Sequence, residues 1–427
     1  MSHAEFVNID IVAASKAEPI EFDKSLQVAF RLFALTGLGV FILGLLGASP
    51  GHFWAAYYTN LIFWMGLSVG GVIIAVIFRV VRAKWAPPVR RIAEANVSFL
   101  PWAWLLFLAT YGGKEHLFYW GSKPMPGREF WMQPDFVYCR FSVLLGLLFF
   151  MLWRFVRCSL RGDVGIAREK AGAGSRWKHP EYNRLVAGWR GEKAEVARIE
   201  KKLAVFGPIL IASYALIYSL FAFEMIMGMN AIFFSNMFGG FVFIGNILAG
   251  WASLSMMVLF LRSRNDAYSK IVGSQQLHDL GKLTFGFCIL WAYLFFAQFL
   301  PIWYGNLPEE TQWFILRSRE YPWKILGWLS FSLCFVTPFI LLLSRDIKKV
   351  SWTFAGACMI ILTGLWLERY LLIMPEITPN SIPFGTLELG LFVGFFGCYG
   401  MAMQGFLKKY PILPISDPLA TLGSRAH

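Results

Sequence analysis

The sequence predicts an all-α integral membrane protein with about ten transmembrane helices. Three observations point to this class: 57% of the residues are hydrophobic, only 15% are charged, and the mean hydropathy is +0.54. Soluble domains contain about 25% charged residues, so an ordinary soluble globule is excluded. The first twenty-five residues hold five acidic side chains and no basic segment leading into an apolar one, so no cleavable signal peptide is expected.

Ten stretches are apolar over the ~20 residues that a helix needs to cross the hydrocarbon core of a bilayer. In chain order they lie near 28–47, 54–79, 97–113, 136–157, 203–227, 232–261, 279–304, 323–344, 352–373 and 384–406. They divide the chain into a tail (1–27), four spans (28–157), a hydrophilic connector (158–202), six further spans (203–406) and a second tail (407–427).

The distribution of Lys and Arg predicts the orientation, because cytoplasmic loops retain positive charge. Thirteen of the 39 basic residues lie between Arg154 and Lys202. Most of the others fall in the two tails and in the loops after spans 2, 6 and 8. Both termini are therefore predicted to be cytoplasmic. The net charge of +13 is then explained by topology and contact with lipid head groups, and nucleic acid is not expected as a partner.

The cytoplasmic end of span 7 carries His278, Asp279 and Lys282 on one helix turn. Residues three and four apart on a helix are neighbours, so these side chains can form an acid–base group at the inner mouth of a proton path. The alternative is a capping turn in which the helix dipole stabilises Asp279. The sequence leaves both interpretations open.

Four further ionisable residues lie towards the outer ends of spans, where we expect the other end of a proton path. They are Glu224 on span 5, Glu368 and Arg369 on span 9, and Glu388 at the start of span 10. Such residues are costly in a membrane and usually face a bundle interior. Glu368 and Arg369 diverge by about 100° around the helix, so each is expected to pair with another residue.

Span 3 ends in a polar outer segment that is a candidate for docking a partner or a quinol. Its candidate residues are Tyr111, Glu115 and His116, together with Asp135 beyond a Pro-rich loop. The alternative is an ordinary capped helix end.

No redox centre is expected in this chain alone. Its six cysteines stand singly, without the C-x-x-C spacing of an iron–sulfur or covalent haem site. A haem held by two histidines is not expected either, because His116 and His278 are predicted on opposite sides of the membrane. No nucleotide-binding, hydrolase or metal-site motif is present, so we predict no catalytic residue, no metal site and no independent catalysis.

Two segments resemble a known family. They are HFWAAYYTNLIFWMGLSVGG (52–71) and HDLGKLTFGFCILWAYLFFAQFLPIWYGNLPEET (278–311). Both are similar to the second NrfD-like membrane subunit of alternative complex III, a bacterial quinol:electron-acceptor oxidoreductase. The resemblance covers most of the ten-span region and is most specific over 277–311.

The resemblance implies two polysulfide-reductase-type four-helix bundles plus two extra helices in a bacterial inner membrane. It also implies a sister NrfD-like subunit, and partner subunits on the outer side that carry iron–sulfur clusters and c-type haems. This chain would contribute proton translocation, binding of a quinol such as menaquinol, or both. Two alternatives remain: a stand-alone secondary transporter, and a purely structural scaffold of the same complex.

Overall fold

The computed structural model describes residues 22–47, 49–125, 127–172 and 175–417. Within these ranges the chain is helical, without strands, and ten helices are long and apolar enough to cross a membrane. This confirms the predicted all-α membrane class. The outer parts of both predicted tails, 1–21 and 418–427, lie outside the described residues.

The ten helices follow the predicted spans in order. They are α1 (Lys24–Leu45), α2 (Pro50–Val80), α3 (Pro87–Leu117), α4 (Pro134–Lys170), α5 (Glu192–Met229), α6 (Phe238–Arg264), α7 (Ser274–Gly305), α8 (Trp323–Leu343), α9 (Ser351–Ile377) and α10 (Thr386–Lys409). The main differences lie at the basic ends: α3 begins at Pro87 rather than near 97, and α4 and α5 extend into the predicted connector.

The helices form two four-membered rings with two additional helices. In the first ring α2 packs on α3 and α5, and α4 packs between α3 and α5. In the second ring α6 packs on α7 and α9, and α8 packs between α7 and α9. The remaining helices, α1 and α10, pack on each other, and α10 joins them to α2. Helix α2 also contacts α6 and α9, so it is the central helix.

Small residues allow α2 and α6 to approach closely. A Cβ on Gly70 would lie 2.0 Å from the Asn246 carbonyl oxygen, and one on Gly250 would lie 2.7 Å from the Gly70 carbonyl carbon. Close backbone approach through small residues is a main source of helix association in membranes. The glycines of α2 therefore have a packing role.

The two described termini lie at the same end of the bundle. Asp23, before α1, pairs with Arg264 at the end of α6 (2.7 Å), and Asp417, after α10, pairs with Arg90 near the start of α3. The connector between α4 and α5 lies there too, since the Tyr182 hydroxyl donates to the Lys409 carbonyl (2.6 Å). Following the charge-based prediction, we call this end the inner end and the opposite end the outer end.

A test of the α2–α6 contact compares Gly70→Leu with Gly286→Leu. Gly70 faces backbone that cannot move aside, so overpacking should lower the free energy of unfolding by about 3 kcal/mol or more. Gly286 on α7 is exposed, with open space around its Cβ position, and serves as the control. The measurement is SDS titration in mixed micelles; equal unfolding midpoints for the two variants would contradict the close contact.

Candidate functional site

Buried polar residues follow α2 along its whole length, at the junction of the two rings. From His52 to Arg79 this helix rises about 40 Å at 1.5 Å per residue, which matches a bilayer including its head groups. We call these residues the α2 polar line. Its members lie at successive levels: His52 with Glu388, Asn60, Asn246 with Arg369 and Glu368, Asn96 with Tyr399 and Ser253, and an inner charge cluster.

The outer level is a carboxylate and an imidazole. Glu388 is fully buried in the first turn of α10, where one oxygen hydrogen-bonds His52 Nε2 and the other accepts from the Gly385 amide (2.8 Å). The His52 ring is partly exposed. Sequence reasoning missed His52, because it considered only two histidines to be near spans. The sequence did contain a signal for it. Proline is common at the first position of a helix, and a helix that begins at Pro50 has His52 in its first turn.

Asn60 connects the outer level to the centre. Its Oδ1 accepts a hydrogen bond from Trp366 Nε1 of α9 (2.9 Å), and its amide nitrogen donates to the Ala56 carbonyl one turn earlier (3.0 Å). Asn60 is fully buried in the centre of the bundle. It therefore ties α2 to α9 by a polar contact at membrane depth.

The central level is an ion pair that the sequence analysis did not expect. Arg369 Nη1 lies 2.6 Å from Glu368 Oε1, so the prediction that these neighbours do not pair is wrong. Their Cβ atoms diverge, but the long Arg side chain turns back around α9 because Gly245 leaves room for it. A Cβ on Gly245 would lie 2.8 Å from Nη2. The same Nη2 donates to Asn246 Oδ1 (3.0 Å), which joins α9 to α6.

Below the centre, Tyr399 of α10 bridges two rings of helices. Its hydroxyl donates to Asn96 Oδ1 (2.8 Å) and lies 3.2 Å from Ser253 Oγ. A Cβ on Gly71 would lie 2.5 Å from the Asn96 amide, so glycine at this position makes room for the polar contact.

The inner charge cluster ends the line. Its members are Arg79, Arg90, Arg91, Glu94, Asp163, Glu200 and Asp417. Arg91 is fully buried between Glu94 and Asp163, and Arg90 pairs with Asp417. The sequence analysis explained the basic residues of the cytoplasmic loops by topology and by contact with lipid head groups. For Arg90 and Arg91 the lipid contact is wrong, because both side chains are buried. The missed signal was the sequence spacing: Glu94 lies four residues after Arg90 and three after Arg91, so all three are neighbours on a helix.

The predicted inner mouth on α7 lies at the protein surface. Asp279 pairs with Lys282 (2.6 Å), whose side chain is 53% exposed, and His278 Nδ1 has no hydrogen-bond partner among the described residues. Lys348 of the α8–α9 loop packs against this turn at Gly281, and burial, with the nearby Lys282, lowers the pKa of its amine. In these contacts the turn resembles an ordinary surface turn of a helix.

The capping role on α7 belongs to a residue the sequence analysis did not name. Helix α7 begins at Ser274, and Gln276 Oε1 accepts from the Gly273 amide (2.9 Å). Asp279 therefore lies beyond the first turn, where the helix dipole is weaker.

The outer carboxylates do not come together. Glu224 lies in a π-helical turn of α5 and pairs with Arg140 of α4, whose guanidinium stacks 4.1 Å from the Trp131 ring. Trp131 Nε1 also donates to Glu224 (2.7 Å). Glu224, Glu368 and Glu388 thus each have a different partner: Arg140, Arg369 and His52. Only the last two pairs belong to the α2 polar line.

The polar end of α3 forms a separate surface feature. The Tyr111 hydroxyl donates to Asp135 at the start of α4 (2.7 Å), while Glu115 and His116 are exposed. This contact ties two helix ends together. Docking of a partner or quinol at this surface remains a prediction.

Neither metal ligands nor similarity to known proteins identifies the function of this site. Within the described ranges, no group of three or more His, Cys, Asp and Glu residues is arranged to hold a metal ion. Searches against protein-family models and against curated proteins found no match for this chain.

The inner charge cluster generates a stability prediction. Asp163→Asn leaves the buried Arg91 guanidinium with one carboxylate partner fewer, so we expect the free energy of unfolding to fall by about 3–5 kcal/mol. Asp279→Asn, in the half-exposed α7 pair, should cost at most about 1 kcal/mol. SDS titration of both variants checks this difference. Similar losses in the two variants would show that Asp163 does not compensate the buried charge of Arg91.

Proposed function

We propose that this chain is a proton-conducting membrane subunit of a quinol-oxidising respiratory complex. The α2 polar line is the observation that carries the proton-conducting part. Membership of the complex is supported by the resemblance of residues 52–71 and 278–311 to the NrfD-like subunits of alternative complex III. Quinol oxidation in the sister subunit would supply the driving force.

The depth of the charged groups favours transport over a purely structural role. A charge near the centre of the bilayer costs ~3 kcal/mol on insertion scales, and such residues commonly mark ion or proton pathways. Glu368 lies nine residues before the outer end of α9, about 13 Å along its axis. Helix packing alone does not need an ion pair there, because small residues already bring the helices together.

The α2 polar line contains both proton carriers and residues that orient them. Glu388, Glu368 and His52 can take up and release protons, whereas Asn60 and Asn246 hold partners by hydrogen bonds. Successive levels are about 8–12 Å apart along α2, which is more than one hydrogen bond. Water must therefore bridge them. Buried polar atoms without a partner in the described part of the chain, such as Asn246 Nδ2 and Ser68 Oγ, offer contacts to such water.

The two ends of the line differ in a way that suits directional transfer. The inner charge cluster is the entrance in this proposal, in place of the α7 turn. The pair of His52 and Glu388 is the exit, because the His52 ring reaches the outer surface. The central Glu368 is then the carrier through which every proton passes.

The proton path predicts a difference between two carboxylate variants. In the purified complex reconstituted in vesicles, Glu388→Gln should lower proton flux about a hundredfold, the low end of the contribution of a positioned proton carrier. Fewer protons should be moved per electron, while quinol oxidation in the sister subunit continues in uncoupled vesicles. Asp279→Asn is the matched control and should keep the full ratio. A fully assembled Glu388→Gln complex with an unchanged ratio refutes the path.

Membership of a respiratory complex is tested separately. An affinity-tagged chain purified from native membranes in mild detergent should carry c-type haem absorption, iron–sulfur signals and quinol:acceptor activity in a constant ratio across a sizing column. A monodisperse, colourless chain would instead support a stand-alone transporter. Sequential high-salt washing controls for proteins that adhere to the basic surface.

A further inference from the structure

The inner end of α7 carries cations that the proton path does not use. The short helix Arg345–Lys349, between α8 and α9, packs against this end of α7. Gly281 makes room for the contact, because a Cβ there would lie 2.6–2.9 Å from side-chain carbons of Lys348. The side chain of Lys348 therefore lies on the α7 turn that bears His278 and Lys282.

Lys348 is a buried cation without a carboxylate partner among the described residues. It is 6% exposed, and its Nζ donates to the Leu342 carbonyl (2.7 Å). The carboxylate of the same turn, Asp279, pairs with Lys282 instead (2.6 Å). An ammonium group has three donors, so two remain for a ligand. Because a buried charge without a counter-charge is costly, an anion beside Lys348 would be favoured.

Other donors lie close to this ammonium group. His278 Nδ1 is buried and has no hydrogen-bond partner in the described part of the chain. Three cations are near enough to act electrostatically on the His278 ring: Lys282, Lys348 and Arg345. Lys282 and Arg345 are exposed, so the group is open to a ligand on one side. We call these four residues the α7 basic cluster.

Positive charge is in excess around the α7 basic cluster. Residues 278–282 and 345–349 together hold four cations and two carboxylates, Asp279 and Asp346. Asp279 compensates Lys282, and Asp346 is exposed. A ligand with one or two negative charges would balance the remaining excess.

The cluster lies at the boundary of the apolar segments of two adjacent helices. Lys282 is the last charged residue before α7 ends at Gly305, and Arg345 is the first charged residue after Lys324 at the outer end of α8. Both therefore lie where the hydrocarbon core of a bilayer meets the inner head groups. The anionic groups at this depth are the phosphates of phospholipids.

An apolar surface continues from the cluster towards the centre of the membrane. The centre of the Phe285 ring lies 5.6 Å from Lys348 Nζ and 5.4 Å from the centre of the Phe339 ring of α8. Both rings are partly exposed, and Ile340, next to Phe339, is 65% exposed. This surface suits the acyl chains of a lipid whose phosphate lies in the cluster.

We propose that the α7 basic cluster binds the phosphodiester of an anionic phospholipid of the inner leaflet. Lys348 Nζ donates to its oxygens from the buried side, as does His278 in the tautomer with a proton on Nδ1. Lys282 and Arg345 attract the phosphate from the exposed side. Basic pockets between membrane helices on the cytoplasmic side bind anionic head groups in this way. The site does not depend on the proposed proton path.

The test uses phosphatidylglycerol with a diazirine near the start of one acyl chain, added in neutral detergent to the full-length protein purified with its partners. Photolabelling of the α7 and α8 peptides around Phe285 and Phe339 is measured against lipid mole fraction. Lys348→Met keeps an apolar stem of similar length but removes the charge. The half-saturating fraction should rise about tenfold, the contribution of a hydrogen bond from a charged donor.

The matched control is Lys270→Met, at an exposed lysine of the short helix between α6 and α7. It changes the net charge equally and should be labelled as the parent is. Equal half-saturating fractions for Lys348→Met and Lys270→Met would overturn the proposal.

Two further ligands identify what the cluster recognises. Phosphatidylcholine with the same diazirine has no net charge, so its weaker labelling should not change in Lys348→Met. An equal loss with both lipids would indicate a distorted surface and would overturn the proposal. Displacement of phosphatidylglycerol by excess inorganic phosphate, at constant ionic strength, would overturn the assignment to a lipid in favour of a soluble anion.

A second variant keeps the proposal testable if Lys348→Met does not fold. Lys282→Gln alters a side chain that is 53% exposed. Labelling by phosphatidylglycerol should weaken about fivefold, the contribution of one basic residue near an anionic membrane surface. Unchanged labelling in Lys282→Gln would contradict the site.

Discussion

The burial of α2 between the two four-helix rings is the constraint on which the rest of the structure depends. A helix surrounded by protein has no lipid-facing side, so its polar residues can be placed at any depth provided that they find partners. Glycines make this arrangement possible in two ways. Gly70 and Gly250 bring the backbones of α2 and α6 together, while Gly66 and Gly71 leave space for the Asn246 and Asn96 amides. Close packing and internal polarity therefore have the same structural cause.

The ionisable groups inside the protein are arranged as pairs, as their energetics require. A buried charge without a partner costs several kcal/mol, and the attraction of an opposite charge roughly compensates for that cost only with good geometry. Glu368, Glu224 and Asp163 each lie beside an arginine, and Glu388 lies beside the His52 ring. Such pairs add little net stability compared with apolar side chains. Their position at the centre of a membrane protein supports the proposed proton path, which needs ionisable groups.

The sequence was sufficient to predict the helices but not the identity of their partners. The ten spans and the presence of ionisable residues in spans 9 and 10 follow from hydropathy and residue type. The pairing of Glu368 with Arg369 could not follow from Cβ directions, because side-chain length and the space left by Gly245 decide it. His52 and Arg91 were missed for a related reason. Sequence patterns place polar residues near the ends of spans in contact with solvent. Only the tertiary packing shows which of these side chains are buried.

The position of Glu368 connects the α2 polar line to a cavity of the second ring. Its Oε1 lies beside Arg369, which reaches the α2 polar line through Asn246, while Glu368 also lines a cavity of about 1150 Å³ between α7 and α8. One carboxylate therefore stands between a membrane-facing cavity and the core of the bundle.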